Sequence, residues 1–137
     1  MYSLSRAEEQ QKELEQRLRS FGGSSAVMRG AEADLTRLLS QGNLTVLADH
    51  QVRSDFQGTI GQCHVNSARL WVAHPGQGLV LWTGYALTGH NWVPHTWVMR
   101  QRSNELFEVT PASRDLYYGY PLTLAEAYQF ARRQGLR

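Results

Sequence analysis

The chain predicts an α+β domain on three observations. Capped, amphipathic helical segments fill residues 5–40, β-rich runs of Trp, Val, Leu and Tyr cluster between residues 79 and 109, and a second capping signal at Thr123 opens a closing helix. Helices and strands segregated in this order indicate N-terminal helices packed on an antiparallel β-sheet rather than alternating β/α units.

Ser5-Arg6-Ala7-Glu8 places a serine at an N-cap and a glutamate three residues on, which predicts a helix over residues 5–21. Its apolar stripe of Leu14, Leu18 and Phe21 is thin, and Gly22-Gly23 ends it. A face this narrow suits contact with a partner as well as packing inward. Ser24 or Ser25 is read as the cap of a second helix reaching Ser40, with Met28, Ala31, Leu35, Leu38 and Leu39 on one face and Gly42 as the stop. Leu44 to Ala48 reads as a short strand, and the rest up to Gly61 as loop, with Gly58 and Gly61 allowing unusual backbone angles. Cys63 to His74 reads as a helix broken by His74-Pro75-Gly76. Leu79–Leu87, Trp92–Gln101 and Glu105–Val109 read as strands, and the polar turn Arg102-Ser103-Asn104 makes the last two a hairpin. Tyr117-Tyr118-Gly119-Tyr120-Pro121 reads as an aromatic loop, and Thr123-Leu124-Ala125-Glu126 caps a final helix to Arg133. The expected division is a helical segment over 1–42 and a catalytic core over 43–137, in one compact domain; 137 residues suffice to bury a core without disulfides.

Composition narrows the function. The chain is 42% hydrophobic, which argues for a globular fold, and its net charge of +2 is scattered, so nucleic acid is not the expected partner. No apolar run approaches a membrane span, and the charged, glutamine-rich N-terminus does not read as a secretory signal. The expected location is therefore the cytoplasm, or a target cell reached without a classical signal peptide. Lys12 is the only lysine against a larger set of arginines, which fits either a GC-rich genome or avoidance of lysine modification inside a host.

Three residues carry the chemistry. Cys63 stands where a loop becomes a helix; free N–H groups there favour the thiolate and can bind an oxyanion, so the sequence predicts a lowered thiol pKa and a nucleophile. His95 lies in a strand and shares a face with Trp97, placing it as general base and then acid. Glu108 lies on the strand expected to pair with it and can accept the second imidazole N–H, although alternation also allows a solvated glutamate. His64 is not expected to serve as the base, since neighbours on a helix point about 100° apart. His74 reads as a helix-end cap, Asn66 as a loop buttress, and Asp115 as the next candidate for the acidic role. Trp97, His90 and Tyr85 are expected to line the substrate cleft. Zinc held by Cys63, His64, His90 and His95 is the inorganic rival, but paired ligand spacings are absent, so neither metal nor cofactor is expected.

Cys63-His64-Val65-Asn66, Gly84-Tyr85-Ala86-Leu87, His95-Thr96-Trp97-Val98 and Glu108-Val109-Thr110-Pro111, in that order, resemble the papain-like cysteine hydrolase and transglutaminase-like superfamily, in its small bacterial and phage branch. The resemblance covers residues 58–111 and departs in having glutamate where aspartate or asparagine is more usual. It implies a papain-like fold, a Cys-His-acid triad, and acyl transfer at an amide or thioester carbonyl of a protein or peptide: proteolysis, glutamine deamidation or transfer to an amine. It also implies an oxyanion-hole glutamine, for which Gln57, six positions before Cys63, is the candidate and the adjacent Gln62 the less suitable one. Small size and lysine poverty suggest a bacterial effector or toxin domain. The alternative is a non-enzymatic binding or assembly module in which Cys63 is a buried structural residue; a third expectation is an enzyme whose triad assembles only with an activator.

Overall fold

Two capping boxes and a run of β-rich segments set the element order. A computed structural model describes residues 5–28, 33–54, 57–58, 62–109 and 114–136. The helices are α1 (Arg6–Phe21), α2 (Leu35–Gln41), α3 (Cys63–Ala73) and α4 (Leu124–Arg133). The strands are β1 (Ser25–Ala26), β2 (Asn43–Val46), β3 (Gln51–Arg53), β4 (Val80–Thr88), β5 (Asn91–Arg100), β6 (Glu105–Phe107) and β7 (Arg114–Pro121). Ser5 and Thr123 each cap their helix reciprocally with the glutamate three residues on, as the sequence predicts.

The fold is mixed α and β, with a sheet ordered β2-β7-β4-β5-β6-β3; β3 runs parallel to β6, β1 pairs with β5 in parallel, and the other pairs are antiparallel. Its two outermost strands, β2 and β3, are consecutive in the chain and joined by a 3-10 turn at Leu47–Asp49. Five strand spacings in a flat sheet cover about 24 Å. The chain from Val46 to Gln51 spans at most about 18 Å. The sheet must therefore curl, and its concave face holds Trp82, Ala86, Trp97, Met99, Leu106 and Tyr117, with Leu47 of the closing turn against them.

The convex face carries the helices. Leu14, Leu18 and Leu38 pack on Tyr85, Trp92, Tyr118 and Tyr120, while α3 and α4 cover Leu81, Val98, Phe107 and Val109. The stripe of α1 thus faces the sheet: Leu14 and Leu18 are fully buried, and a partner meeting this helix would meet its polar side.

Two predicted elements differ. The helix expected from Ser24 begins instead at Leu35, capped by Asp34, because residues 25–26 extend along β5 and Ser24 N–H and Val27 N–H donate to the carbonyls of His90 and Trp92 at 2.6 and 2.8 Å. The aromatic loop is in fact the strand β7, inserted between β2 and β4. Its Gly119 faces Gly84 across the ladder, and a Cβ at Gly119 would sit 2.7 Å from the Trp97 ring, so the missing side chain makes room for that indole. Ala31, Gly61, Thr110 and Pro111 lie outside the described residues.

Candidate active site

The outer edge of β5 is shared. Residues 91–92 pair with β1 and residues 98–100 with β6, and among the described residues no strand pairs with 93–97 on that edge. The first turn of α3 stands at this opening. Ser67 donates its hydroxyl to the Thr96 carbonyl at 2.8 Å, and a backbone hydrogen bond from Thr96 reaches the Cys63 sulfur. Asn66 is buried and donates to the Val109 carbonyl at 3.2 Å, which also accepts from Gly58 N–H at 2.8 Å. A Cβ on Gly58 would overlap the Asn66 amide, so this glycine lets the incoming loop lie against α3. Asn66 is the buttress the sequence suggests.

His95 points to the other, concave face. It pairs with Gly84 across the ladder and stacks on Trp97, with centroids 5.9 Å apart and planes at 14°, while Tyr117 tilts against both rings. Phe107 pairs with Val98, so alternation brings Glu108 to the His95 face. Glu108 N–H donates to the Arg53 carbonyl at 2.8 Å and keeps the chain in register beyond β6. The carboxylate is 6% exposed; Oε1 accepts from Arg114 Nη1 at 2.8 Å and Oε2 from the Tyr117 hydroxyl. His95 Nε2 lies 3.7 Å from Oε1, near but too far for a hydrogen bond. Glu108 is therefore a buried, countercharged group facing His95, and Asp115 is exposed.

The resting electrostatics differ from the sequence expectation for the thiol. Burial pushes Cys63 above its ordinary 9.0 and outweighs the Thr96 hydrogen bond and the Arg114 charge, which pull it down. No side chain caps α3 at Gln62, and the backbone N–H groups of Cys63 and His64 pull the thiol down, but they do not reverse the burial. His95 lies below its ordinary 6.5: burial is the main cause, Arg114 adds to it, and Glu108 opposes it. Both shifts favour the uncharged forms at neutral pH, a thiol at Cys63 and a neutral imidazole at His95.

The other expected site residues separate. Tyr85 is fully buried on the convex face among Leu14, Leu18 and Trp92, with burial raising its phenol to about 12; it does not line the cleft. Trp97 is also fully buried and supports His95 from beneath instead of meeting substrate. His90 is exposed on the β4–β5 turn, five residues or about 17 Å along the strand from His95. Gln57 is exposed and lines a hollow of about 250 Å³ with Gly58, Asn66, Arg69 and His74; no hydrogen bond joins it to Cys63. His74 Nδ1 faces the Leu70 carbonyl at 3.0 Å, a helix-end contact as expected.

Two site residues escaped the sequence reading. Arg114 binds Glu108, and the only signal was that a glutamate flanked by Phe107 and Val109 needs a countercharge if buried. His64, set aside as a base, places Nδ1 4.0 Å from the Cys63 sulfur and 2.6 Å from Thr96 Oγ1.

Among the described residues no group of three or more His, Cys, Asp or Glu is arranged to hold a metal, and no helix is long and apolar enough to cross a membrane. No family model, curated protein or solved structure matches this chain.

Proposed function

We propose that this protein is a cysteine-dependent acyl-transfer enzyme with Cys63 as nucleophile, His95 as base and Glu108 as the residue that orients the imidazole. What supports the reading is the neighbourhood along β5: the Cys63 sulfur is hydrogen-bonded at Thr96 on the convex side, one residue from His95, which lies against Trp97 and Glu108 on the concave side, so the proton must pass around the strand edge left open at residues 93–97. The buried ionic arrangement has a stated use here, since a fixed carboxylate beside Nε2 leaves Nδ1 to take the thiol proton.

In the reaction, Sγ attacks the carbonyl carbon of an amide or thioester while its proton passes to His95. The oxyanion is stabilised by the uncapped N–H groups of α3. Collapse breaks the bond to the leaving amine or thiol, which departs with the proton from His95. The thioester on Cys63 is then cleaved by water or by an acceptor amine. A neutral resting pair suits this general-base course, because His95 is already unprotonated at pH 7. The papain-like resemblance supports the same roles, and a peptide or glutamine side chain as acyl donor; the effector or toxin setting rests on small size and lysine poverty.

A second reading is favoured by one observation. The raised thiol, half-buried beside Thr96, is also what a structural cysteine in a binding module shows. The two are separated by incubating the protein with p-nitrophenyl acetate and measuring the intact mass. Acetylation of Cys63 that disappears in His95→Ala supports the enzyme; a chain left unacetylated, or acetylated equally in both proteins, supports the module.

A further inference from the structure

His64 is a histidine that the proposed reaction does not use, yet its Nδ1 approaches the nucleophile. It sits in the first turn of α3, edge-on to Phe130 of α4, with centroids 5.9 Å apart and planes at 79°. Its Nδ1 is 2.6 Å from Thr96 Oγ1 and 4.0 Å from Cys63 Sγ, and Thr96 Oγ1 is in turn 3.3 Å from Thr83 Oγ1. One nitrogen is therefore tied to the strand that carries His95 and lies at the edge of contact with the sulfur on its own helix. Phe130 and Thr96 hold the ring from two sides, so its direction is fixed by packing as well as by the short bond.

We propose that His64 is a positioning residue for the Cys63 nucleophile, holding the sulfur beside Thr96 and offering it Nδ1–H as negative charge develops. The hydroxyl pair accounts for the proton. Nδ1–H donates to Thr96 Oγ1, whose own hydrogen turns to Thr83 Oγ1, and a small rotation about the Cys63 side chain brings sulfur into range of the same N–H. The thiolate formed during attack is then met by the Thr96 backbone and by His64, while the proton goes to His95. This rests on the acyl-transfer reading for its purpose, but not for its geometry.

Among the charged and titratable groups, Cys63 neighbours His64 on α3, His95 on β5 feels its charge, and Arg133 of α4 lies 5.7 Å over the Phe130 ring that His64 meets edge-on. Arg114 acts on both Cys63 and His95. A substitution at His64 removes one donor to the sulfur and leaves these in place.

The test is the rate of iodoacetamide alkylation of Cys63 from pH 6 to 10 in wild type, His64→Ala and His64→Asn, with circular dichroism as the check on folding. The expected result is an alkylation midpoint about one pH unit higher in His64→Ala, which is about tenfold slower labelling at pH 7. His64→Asn, whose amide restores a donor on the strand side, is expected within about threefold of wild type. A purely structural role lowers the melting temperature without moving the midpoint; superimposable profiles in wild type and His64→Ala overturn the proposal. The enzyme reading is judged separately by ester acetylation in His95→Ala. A shifted His64→Ala profile without His95-dependent acetylation keeps the positioning role and removes the enzyme; the reverse result keeps the enzyme and removes this role.

Discussion

Glu108 and Arg114 should behave as a single energetic unit. Their Oε1 and Nη1 atoms are 2.8 Å apart with both side chains under a tenth exposed, so each is the other's countercharge in a site that water hardly reaches. Glu108→Gln takes the carboxylate charge from a buried guanidinium, and Arg114→Met leaves a buried carboxylate with the Tyr117 hydroxyl among these contacts. Breaking one side of such a pair costs about 3–5 kcal/mol. Removing both charges leaves no half-broken pair, so the double variant should cost no more than a single one, at most about 5 kcal/mol where simple addition gives about 8, a coupling of about 3 kcal/mol or more. Urea unfolding followed by tryptophan fluorescence reads this directly, since Trp97 stacks on the neighbouring His95. With a slope of about 2 kcal/mol/M, each single variant should lower the midpoint by about 2 M. Costs that add to within about 0.5 kcal/mol would refute the claim that the two charges share one buried site.

Stability should fall on acidification because His95 is buried neutral. Its folded pKa lies below the unfolded 6.5, so the unfolded chain gains a proton first; stability is intact above 6.5 and is lost as pH falls through 6.5 towards the lower folded value. His95→Gln should flatten that part of the urea-midpoint profile between pH 7.5 and 5, and an unchanged slope would show that other groups set it. At Gly119 an added Cβ meets the Thr83 carbonyl and the Trp97 ring, so Gly119→Ala should lower stability by about 1–3 kcal/mol or more, read as a melting shift. Thr123→Ala removes a reciprocal cap and should cost about 1 kcal/mol, measured by urea unfolding at neutral pH, with no change at Cys63.

The pieces legible in the sequence were those set by local rules. Capping boxes fixed the starts of α1 and α4, and the polar turn at residues 102–104 joined β5 to β6 with Asn104 in the left-handed region. Period-two alternation then placed His95 and Trp97 on one face, and the hairpin brought Glu108 roughly across from His95, although alternation alone also allowed it a solvated face. The same alternation, applied to the Gly84–His95 pair, also sends Tyr85 to the opposite face, so its exclusion from the cleft was available from the register. β7 was missed because Gly119 and Pro121 punctuate it, although Tyr117, Tyr118 and Tyr120 carry strong strand preference. The curl of the sheet was not legible, since it depends on β2 and β3 taking opposite edges. Arg114 needed that three-dimensional pairing too. The approach of His64 to the sulfur was not legible because the 100° rule describes directions around a helix axis, whereas two adjacent residues in a first turn can both reach one nearby strand edge. The thiol pKa was misjudged because a helix N-terminus was weighed without the burial that surrounds it.

The central claim is that Cys63 and His95 act together through the opening in the β5 edge. The most direct test is the pH dependence of Cys63 acetylation by p-nitrophenyl acetate, from pH 4 to 10, in wild type and His95→Ala. The account predicts a wild-type rate that rises through a midpoint below 6.5, as His95 loses its proton, and reaches a plateau at neutral pH, with that limb absent in His95→Ala. A rate that stays low to neutrality, climbs only through pH 9 and above, and is the same in both proteins would show a thiol reacting alone and contradict the account.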